Sequence, residues 1–128
     1  LEDYSDYVEI ARNAGAGETL DRIIPEIYNE AMFPGTAMLY SFPSYVYSLW
    51  QEYSVEELEY IASFCKEKGI PAATVYWEYW SEETEKIFEK NGISLYVYTV
   101  NDRDQARRYI SQGAEGICTD FLTAEDLW

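Results

Sequence analysis

The order of apolar and polar residues from residue 54 onward predicts a regular succession of helices and strands. Apolar residues recur with helical spacing in three segments, which close at Gly69, Gly92 and Gly113. Glycine readily adopts the left-handed conformation that ends a helix. An apolar run of strand length follows each glycine within a few residues. The pattern therefore predicts repeated βα units.

The predicted helices of this part begin at residues that are typical caps. Ser54-Val55-Glu56-Glu57 is a capping-box pattern, and Ser81 precedes the next helical segment. Either Asn101 or Asp102 is predicted to cap the third helix. Thr123 opens a last helical turn. These caps predict where the chain enters each helix.

The first 53 residues follow a less regular pattern. A first helix is predicted from apolar residues at i, i+3, i+4 and i+7, which are Tyr4, Tyr7, Val8 and Ala11. Residues 29–42 are ambiguous, and Pro34-Gly35 predicts a turn before a short helix over residues 36–40. Pro25 lies inside an apolar run that otherwise predicts a strand, and proline cannot donate to a sheet ladder. In all, strands are predicted near residues 22–28, 45–50, 72–77, 94–100 and 115–120.

Strands that alternate with helices at this pitch indicate an α/β fold with parallel pairing and right-handed crossovers. Both a doubly wound sheet and part of a (βα)8 barrel fit the pattern. A full barrel typically needs about 250 residues, so five strands in 128 residues correspond to about half of one. No linker rich in Gly, Ser or Pro interrupts the sequence, which predicts a single domain over residues 1–128.

The composition excludes several partners. The chain has 24 acidic and 9 basic residues and a net charge of -15, so a nucleic-acid partner or an anionic membrane surface is not expected. Apolar residues make up 48% of the chain, which is enough for a packed core. No apolar run is long enough to span a bilayer. The first residue, Leu1, suggests a processed, trimmed or truncated chain.

The chain has no histidine, which removes every mechanism that uses a histidine base, nucleophile or metal ligand. Its two cysteines, Cys65 and Cys118, form no zinc-type cluster and are interpreted as small buried hydrophobic residues. A disulfide between them stays open, and so does the compartment. The sequence thus predicts no histidine-based catalytic site and no zinc-type site, whereas a catalytic carboxylate pair drawn from Glu26, Glu78 or Asp120 stays open.

Candidate binding residues lie where the predicted strands end, because parallel barrels carry their chemistry at the carboxyl ends of the strands. Each has an alternative structural role: Glu26 as a solvent-facing carboxylate, Asn101 as a helix cap, Asp120 as a brace of the last loop, and the aromatic residues as packing. Tyr53, Tyr76, Trp77, Tyr79 and Trp80 resemble a sugar-stacking platform, or else form a barrel rim. The candidates for the substrate pocket are Glu26, Trp50, Tyr76, Tyr98, Asn101 and Asp120.

Three segments together resemble the carboxyl-terminal half of the glycerophosphodiester phosphodiesterase family, a (βα)8 barrel of the phosphatidylinositol-phospholipase-C-like superfamily. Residues 22–29, Arg-Ile-Ile-Pro-Glu-Ile-Tyr-Asn, resemble a family stretch close to R-I-I-P-Q-I-Y-N. Residues 97–101, Val-Tyr-Thr-Val-Asn, resemble the W-T-V-N or H-T-V-N strand end. Residues 113–121, Gly-Ala-Glu-Gly-Ile-Cys-Thr-Asp-Phe, resemble G-V-D-G-I-x-T-D. The resemblance extends from about residue 18 to the end of the chain.

The resemblance implies hydrolysis of a glycerophosphodiester to glycerol phosphate and an alcohol, a reaction of lipid and glycerol metabolism. In the family, two histidines act as acid and base and carboxylates hold Ca²⁺ or Mg²⁺. These groups belong to a His-Arg-Gly, a Glu-x-Asp and a His-Asp in the amino-terminal half, and this chain has none of them. It is therefore expected to be a fragment that is inactive alone. Glu26 stands where the family often has glutamine, and its carboxylate would repel a phosphodiester, which puts the substrate class in question. Tyr98 stands where the family has tryptophan or histidine, and it keeps an apolar ring with a hydroxyl that can line the alcohol pocket.

Two other interpretations stay open from the sequence. The chain could be a non-catalytic half-barrel that forms a homo-oligomer or pairs with a missing amino-terminal half, because open sheet edges favour aggregation. The aromatic cluster also fits a fragment of a carbohydrate-active barrel. The headgroup alcohol, the metal and the oligomeric state are not predicted.

Overall fold

The strands form one sheet within residues 4–128, the part of the chain that the computed structural model describes. All of them run parallel, and neighbours in sequence are neighbours in the sheet. The first three residues of the predicted 1–128 domain lie outside the described residues. The strands are β1 (Glu26–Ile27), β2 (Val46–Leu49), β3 (Ala72–Tyr76), β4 (Ser94–Tyr98) and β5 (Gly116–Ile117).

The sequential strand order decides between the two predicted architectures. Right-handed crossovers between successive neighbours place every connecting helix on the same side of the sheet. A doubly wound sheet instead needs a point where the strand order reverses, and the order β1-β2-β3-β4-β5 has none. The prediction of parallel (βα) repeats is confirmed, and they are wound as in part of a barrel.

The connecting helices lie on the side of the sheet where right-handed crossovers place them. Short 3₁₀ turns span Gly17–Arg22 and Trp77–Tyr79. Among the described residues, no helix is long and apolar enough to cross a membrane. The α-helices are α1 (Ser5–Asn13), α2 (Met32–Leu39), α3 (Val55–Lys68), α4 (Glu82–Lys90), α5 (Arg103–Ser111) and α6 (Ala124–Leu127).

The predicted caps lie at the helix starts. The Ser54 hydroxyl accepts from the Glu57 backbone N–H, and the Glu57 carboxylate accepts from that of Ser54 at 2.7 Å, which completes the capping box of α3. The Ser81 hydroxyl accepts from Thr84 N–H at the start of α4. Asp102, not Asn101, caps α5, since its carboxylate accepts from the Gln105 backbone N–H at 2.7 Å. Asn101 is therefore free for another role.

The first predicted strand is wrong in length. It was expected over residues 22–28, but β1 covers only Glu26–Ile27 because Gly17–Arg22 is a 3₁₀ turn and Pro25 lacks a backbone N–H. Ile24 is 60% exposed, so its apolar character does not reflect a buried strand position. The Tyr4 hydroxyl accepts from Glu26 N–H at 2.9 Å and donates to its carbonyl at 3.1 Å. These bonds cap the free edge of β1 with a side chain that precedes α1.

The turn predicted at Pro34-Gly35 is also wrong, because both residues lie inside α2 (Met32–Leu39). Pro34 is the third residue of the helix, where a backbone N–H has no partner within the helix, so proline is tolerated. The other predicted strands are correct in place but longer than the paired segments. β3 stops at Tyr76 and β5 has two residues, because the residues that follow turn toward the next helix.

The hydrophobic core fills the space between the sheet and the helices. Fully buried strand residues alternate along the sequence with residues of the other face, as in Ala73 and Val75 of β3 and Leu95 and Val97 of β4. Phe88 of α4 is fully buried against this layer. The predicted burial of the cysteines is confirmed for Cys65, and burial raises the pKa of its thiol to about 12. Cys65 and Cys118 are not linked to each other.

One carboxylate, Glu85 of α4, lies within this helix layer at 8% exposure. Trp80 Nε1 donates to its Oε2 at 3.2 Å, and the ring of Trp80 packs against Tyr109. Burial raises the pKa of Glu85 from 4.5 to about 7, and the neighbouring charges of Glu115 and Glu89 act in the same direction. The folded protein therefore retains a proton at pH 6 that the unfolded chain has lost.

Glu85→Gln is expected to stabilise the fold at pH 8 by about 1–2 kcal/mol, a value discounted for partial solvent screening. Because the folded pKa lies above the unfolded one, the wild-type chain loses stability as pH rises from 4.5 to 7, and the glutamine variant does not. Urea unfolding at pH 5 and pH 8 measures the difference. An equal effect of the substitution at both pH values would contradict the assignment.

Candidate functional site

The face of the sheet that carries no crossover helix, called here the open face, presents the alternate residues of each strand. Pairing sets Ser48 beside Thr74, Thr74 beside Tyr96, and Tyr96 beside Gly116 in one row. Tyr76 and Tyr98 form the next row toward the carboxyl ends of the strands. The open face therefore combines hydroxyl groups with aromatic rings.

Glu26 is the carboxylate of β1 on the open face. The Tyr28 hydroxyl donates to its Oε2 at 3.2 Å, and the Thr74 hydroxyl donates to its Oε1 at 3.4 Å. Its side chain is half-buried, and its charge raises the pKa of Tyr98 and of Cys118. The structure thus places Glu26 toward the candidate site.

Tyr98 and Tyr76 form the aromatic part of the open face. Their ring centroids lie 5.8 Å apart at an interplanar angle of 62°. Burial raises the pKa of Tyr98, whereas a hydrogen bond with the Ser48 side chain lowers it. The peptide bond between Tyr98 and Thr99 is cis. Because its pKa is raised, the hydroxyl of Tyr98 stays protonated at neutral pH, and its hydrogen bond with Ser48 reaches across β3 toward β2.

Asn101 joins the ends of β4 and β5 and is not a helix cap. Its Nδ2 donates to Asp120 Oδ2 at 2.9 Å. Its Oδ1 accepts from the Thr119 hydroxyl and from the Asp120 backbone N–H, both at 3.0 Å. Both groups are thereby engaged in a clasp between two loops. Asp120 serves as the brace that the alternative interpretation of this residue expected.

The remaining aromatic candidates divide between two surfaces. Trp50 follows β2 directly and is 53% exposed. Trp77 and Tyr79 contact Tyr76, with ring centroids 5.7 and 5.8 Å from it. Trp80 turns to the helix layer, where it contacts Glu85 and Tyr109. The suspected stacking platform is therefore not one continuous surface.

Sequence reasoning missed four open-face residues, which are Ser48, Thr74, Tyr96 and Cys118. The alternation of side chains between the two faces of a strand could have identified them. Each of these residues lies an even number of positions from Tyr76, from Tyr98 or from a residue paired with the same row. The requirement for glycine at position 116 was also missed. A side chain there would collide with the ring of Tyr96.

The described residues do not fit a divalent cation. Among residues 4–128, no three Cys, Asp or Glu side chains cluster closely enough to hold a metal ion. The Ca²⁺ or Mg²⁺ expected of a complete family enzyme therefore has no ligand set within this part of the chain.

The solved structures to which this chain is similar in fold include proteins described as phosphodiesterases. One is a protein from Silicibacter pomeroyi assigned as a glycerophosphoryl diester phosphodiesterase, with 16% identity and a TM-score of 0.67 over 94% of this chain and 43% of that one. A glycerophosphodiester phosphodiesterase from Parabacteroides distasonis has 16% identity and a TM-score of 0.62, over 94% and 50%. A phosphodiesterase from Oleispira antarctica, in complex with the product sn-glycerol-3-phosphate, has 12% identity and a TM-score of 0.58, over 80% and 37%. This chain thus spans half or less of the length of these structures.

The family is shown by the sequence. Comparison with curated proteins gives no significant match. The sequence profile described as the glycerophosphoryl diester phosphodiesterase family matches residues 36–124, which is more than half of the chain. This range includes β2 to β5 and all candidate residues except Glu26. The chain therefore belongs to the glycerophosphoryl diester phosphodiesterase family.

Proposed function

We propose that this chain is the carboxyl-terminal half of a metal-dependent glycerophosphodiester phosphodiesterase. The complete enzyme would use water to hydrolyse a glycerophosphodiester to glycerol phosphate and an alcohol. The observation that carries the proposal is the family match over residues 36–124, together with a chain that spans half or less of its structural neighbours. The open face would supply one wall of the active site.

The chemistry of the open face suits the alcohol parts of the substrate better than the phosphate. The Glu26 carboxylate and the Tyr98 hydroxyl are hydrogen-bonding groups for substrate hydroxyls, and the Tyr76 and Tyr98 rings offer an apolar wall. A carboxylate repels a phosphodiester, and the net charge of -15 adds to this repulsion. Positive groups for the phosphate and the acid–base groups would therefore come from the rest of the protein.

The chain by itself is expected to be inactive toward glycerophosphocholine with either Ca²⁺ or Mg²⁺. Its described residues hold no metal cluster, and its sequence has no histidine for acid–base catalysis. Release of choline, compared with a buffer blank and with a full-length family enzyme, measures the activity. Metal-dependent turnover well above the blank would refute the proposal.

The coding sequence upstream of Leu1 tests the same proposal independently. We expect it to encode a His-Arg-Gly, a Glu-x-Asp and a His-Asp. In that longer protein, Tyr98→Ala is expected to lower kcat/KM about tenfold or more, which corresponds to one lost polar and ring contact. Tyr7→Ala is the control, since Tyr7 lies exposed on α1. An upstream region that lacks these motifs would contradict the proposal.

A specific observation favours the alternative in which the chain is a non-catalytic half-barrel that pairs with a partner. Phe121 and Trp128, beyond the end of β5, are 69% and 81% exposed. Large exposed apolar side chains near an edge strand are typical of an interface. Light scattering and solution X-ray scattering measure the mass of the isolated chain. A monodisperse monomer would count against self-association.

A further inference from the structure

A cavity of about 560 Å³ lies on the helix side of the sheet, away from the open face. Its walls are β2, the first turns of α3 and the loop that follows β1. Tyr47 of β2 belongs to the helix-facing set of strand residues, because Ser48 next to it lies on the open face. The cavity is thus separate from the site of the proposed function.

Aromatic rings form much of the wall of this cavity. They belong to Tyr53 before α3, Tyr60 and Phe64 on α3, and Tyr47 on β2. The rings of Tyr47 and Phe64 meet nearly edge to face at 6.3 Å. An aromatic face carries partial negative charge and attracts cations.

The charged residues in the wall of the cavity are all carboxylates: Glu30, Glu56 and Glu57. Glu57 is occupied by the capping box, and Glu30 accepts from the Tyr60 hydroxyl at 2.8 Å. No Lys or Arg of the described chain lines the cavity. The cavity therefore has a negative potential that no local cation offsets.

The hydroxyl group of Tyr47 provides a separate indication of a ligand. Tyr47 is only 4% exposed, and its hydroxyl makes no hydrogen bond within residues 4–128. No fully buried polar side-chain atom of the described residues lacks a partner, so the small exposed area of Tyr47 includes this hydroxyl oxygen. Tyr53, Tyr60 and Glu30 act on this hydroxyl electrostatically, and all three line the cavity. The hydroxyl therefore lies on the cavity side. Because the hydroxyl is accessible there and has no partner within the protein, it can bond a polar group of a ligand.

We propose that this cavity binds a small organic cation, an ammonium group that carries an apolar body. The rings of Tyr53, Tyr60 and Phe64 would contact the cation, Glu30 and Glu56 would balance its charge, and Tyr47 would bond a polar group of the ligand. A bare metal ion does not fit, because the described residues hold no suitable cluster of ligands. The proposal is independent of the phosphodiesterase proposal, which concerns the open face.

Calorimetric titration of the whole chain with choline tests the site, because choline has a neutral isostere of the same shape, 3,3-dimethylbutan-1-ol. Choline is expected to bind at least about tenfold more tightly than the isostere at constant ionic strength, since cation–π attraction requires the charge. Equal affinities, or a choline affinity too weak to saturate the chain at about 10 mM, would overturn the proposal.

Paired substitutions separate this site from a general charge effect. Glu30→Gln keeps the acceptor for Tyr60 but removes the charge, and Tyr60→Leu removes the ring. Each is expected to weaken choline binding about fivefold, whereas Tyr60→Phe retains most of it. Glu59→Gln is the control, because Glu59 lies on α3 outside this cavity. Equal losses for Glu59→Gln and Glu30→Gln would overturn the assignment, and circular dichroism checks the fold of each variant.

Discussion

Gly116→Ala is expected to lower the free energy of unfolding by about 2 kcal/mol, the range of overpacked substitutions. A Cβ at Gly116 would lie 2.7 Å from both Cδ1 and Cε1 of Tyr96, closer than carbon atoms approach. The ring of Tyr96 lies across β5 at this point, so either the ring or the strand must move. Urea unfolding of the chain and its variant at neutral pH measures the loss.

Two further variants make this prediction specific. Tyr96→Ala removes the obstacle, so the double variant is expected to be more stable than the sum of the two single losses predicts. Gly35→Ala is the matched control, because Gly35 lies inside α2 with no atom within 4 Å of a new Cβ. It is expected to stabilise the chain by about 0.5–1 kcal/mol. A destabilisation by Gly116→Ala that is unchanged by Tyr96→Ala would contradict the contact.

Asn101→Ala is expected to destabilise the chain by about 2 kcal/mol, because three hydrogen bonds that each contribute about 0.5–1.5 kcal/mol are lost. The side chain joins the end of β4 to Thr119 and Asp120, which follow β5. No other side-chain hydrogen bond of the described residues links these two loops. Urea unfolding and amide exchange of the residues after β5 measure the effect.

Smaller effects are expected of two matched variants. Asp120→Ala removes only the acceptor for Asn101 Nδ2 and leaves its backbone bond, so about 1 kcal/mol or less is expected. Asn91→Ala also removes a single hydrogen bond, from Nδ2 to the carbonyl of Ile87 at 2.9 Å. If Asn101→Ala costs no more than Asn91→Ala, the clasp contributes little to stability.

The second half of the fold could be predicted closely because its signals are local. Capping side chains and the terminal glycines bond within one turn of their own helix, so Ser54 and Gly69 mark the ends of α3 without any tertiary contact. The first 45 residues depend on distant contacts. β1 is short because Pro25 interrupts it, and Tyr4, more than twenty residues away, satisfies its free edge.

The candidate site was predicted in part. The rule that parallel strands carry chemistry at their carboxyl ends placed Glu26, Tyr76 and Tyr98, which lie together on the open face. Asn101 was one of the candidates, and its competing role as a helix cap was excluded only by the structure, in which Asp102 caps α5 and Asn101 contacts the loop after β5. Their roles in substrate binding stay predictions.

The sequence by itself determined the alternation of strands and helices, the helix ends, the missing histidine chemistry and the family resemblance. These properties depend on neighbouring residues or on composition alone. Only the tertiary structure decided the sequential strand order, the hydrogen bonds of Glu26 and Asn101, the collision that reserves position 116 for glycine, and the acidic aromatic cavity. Each of these joins residues that are distant in sequence, and their distances are set by how the strands and helices pack.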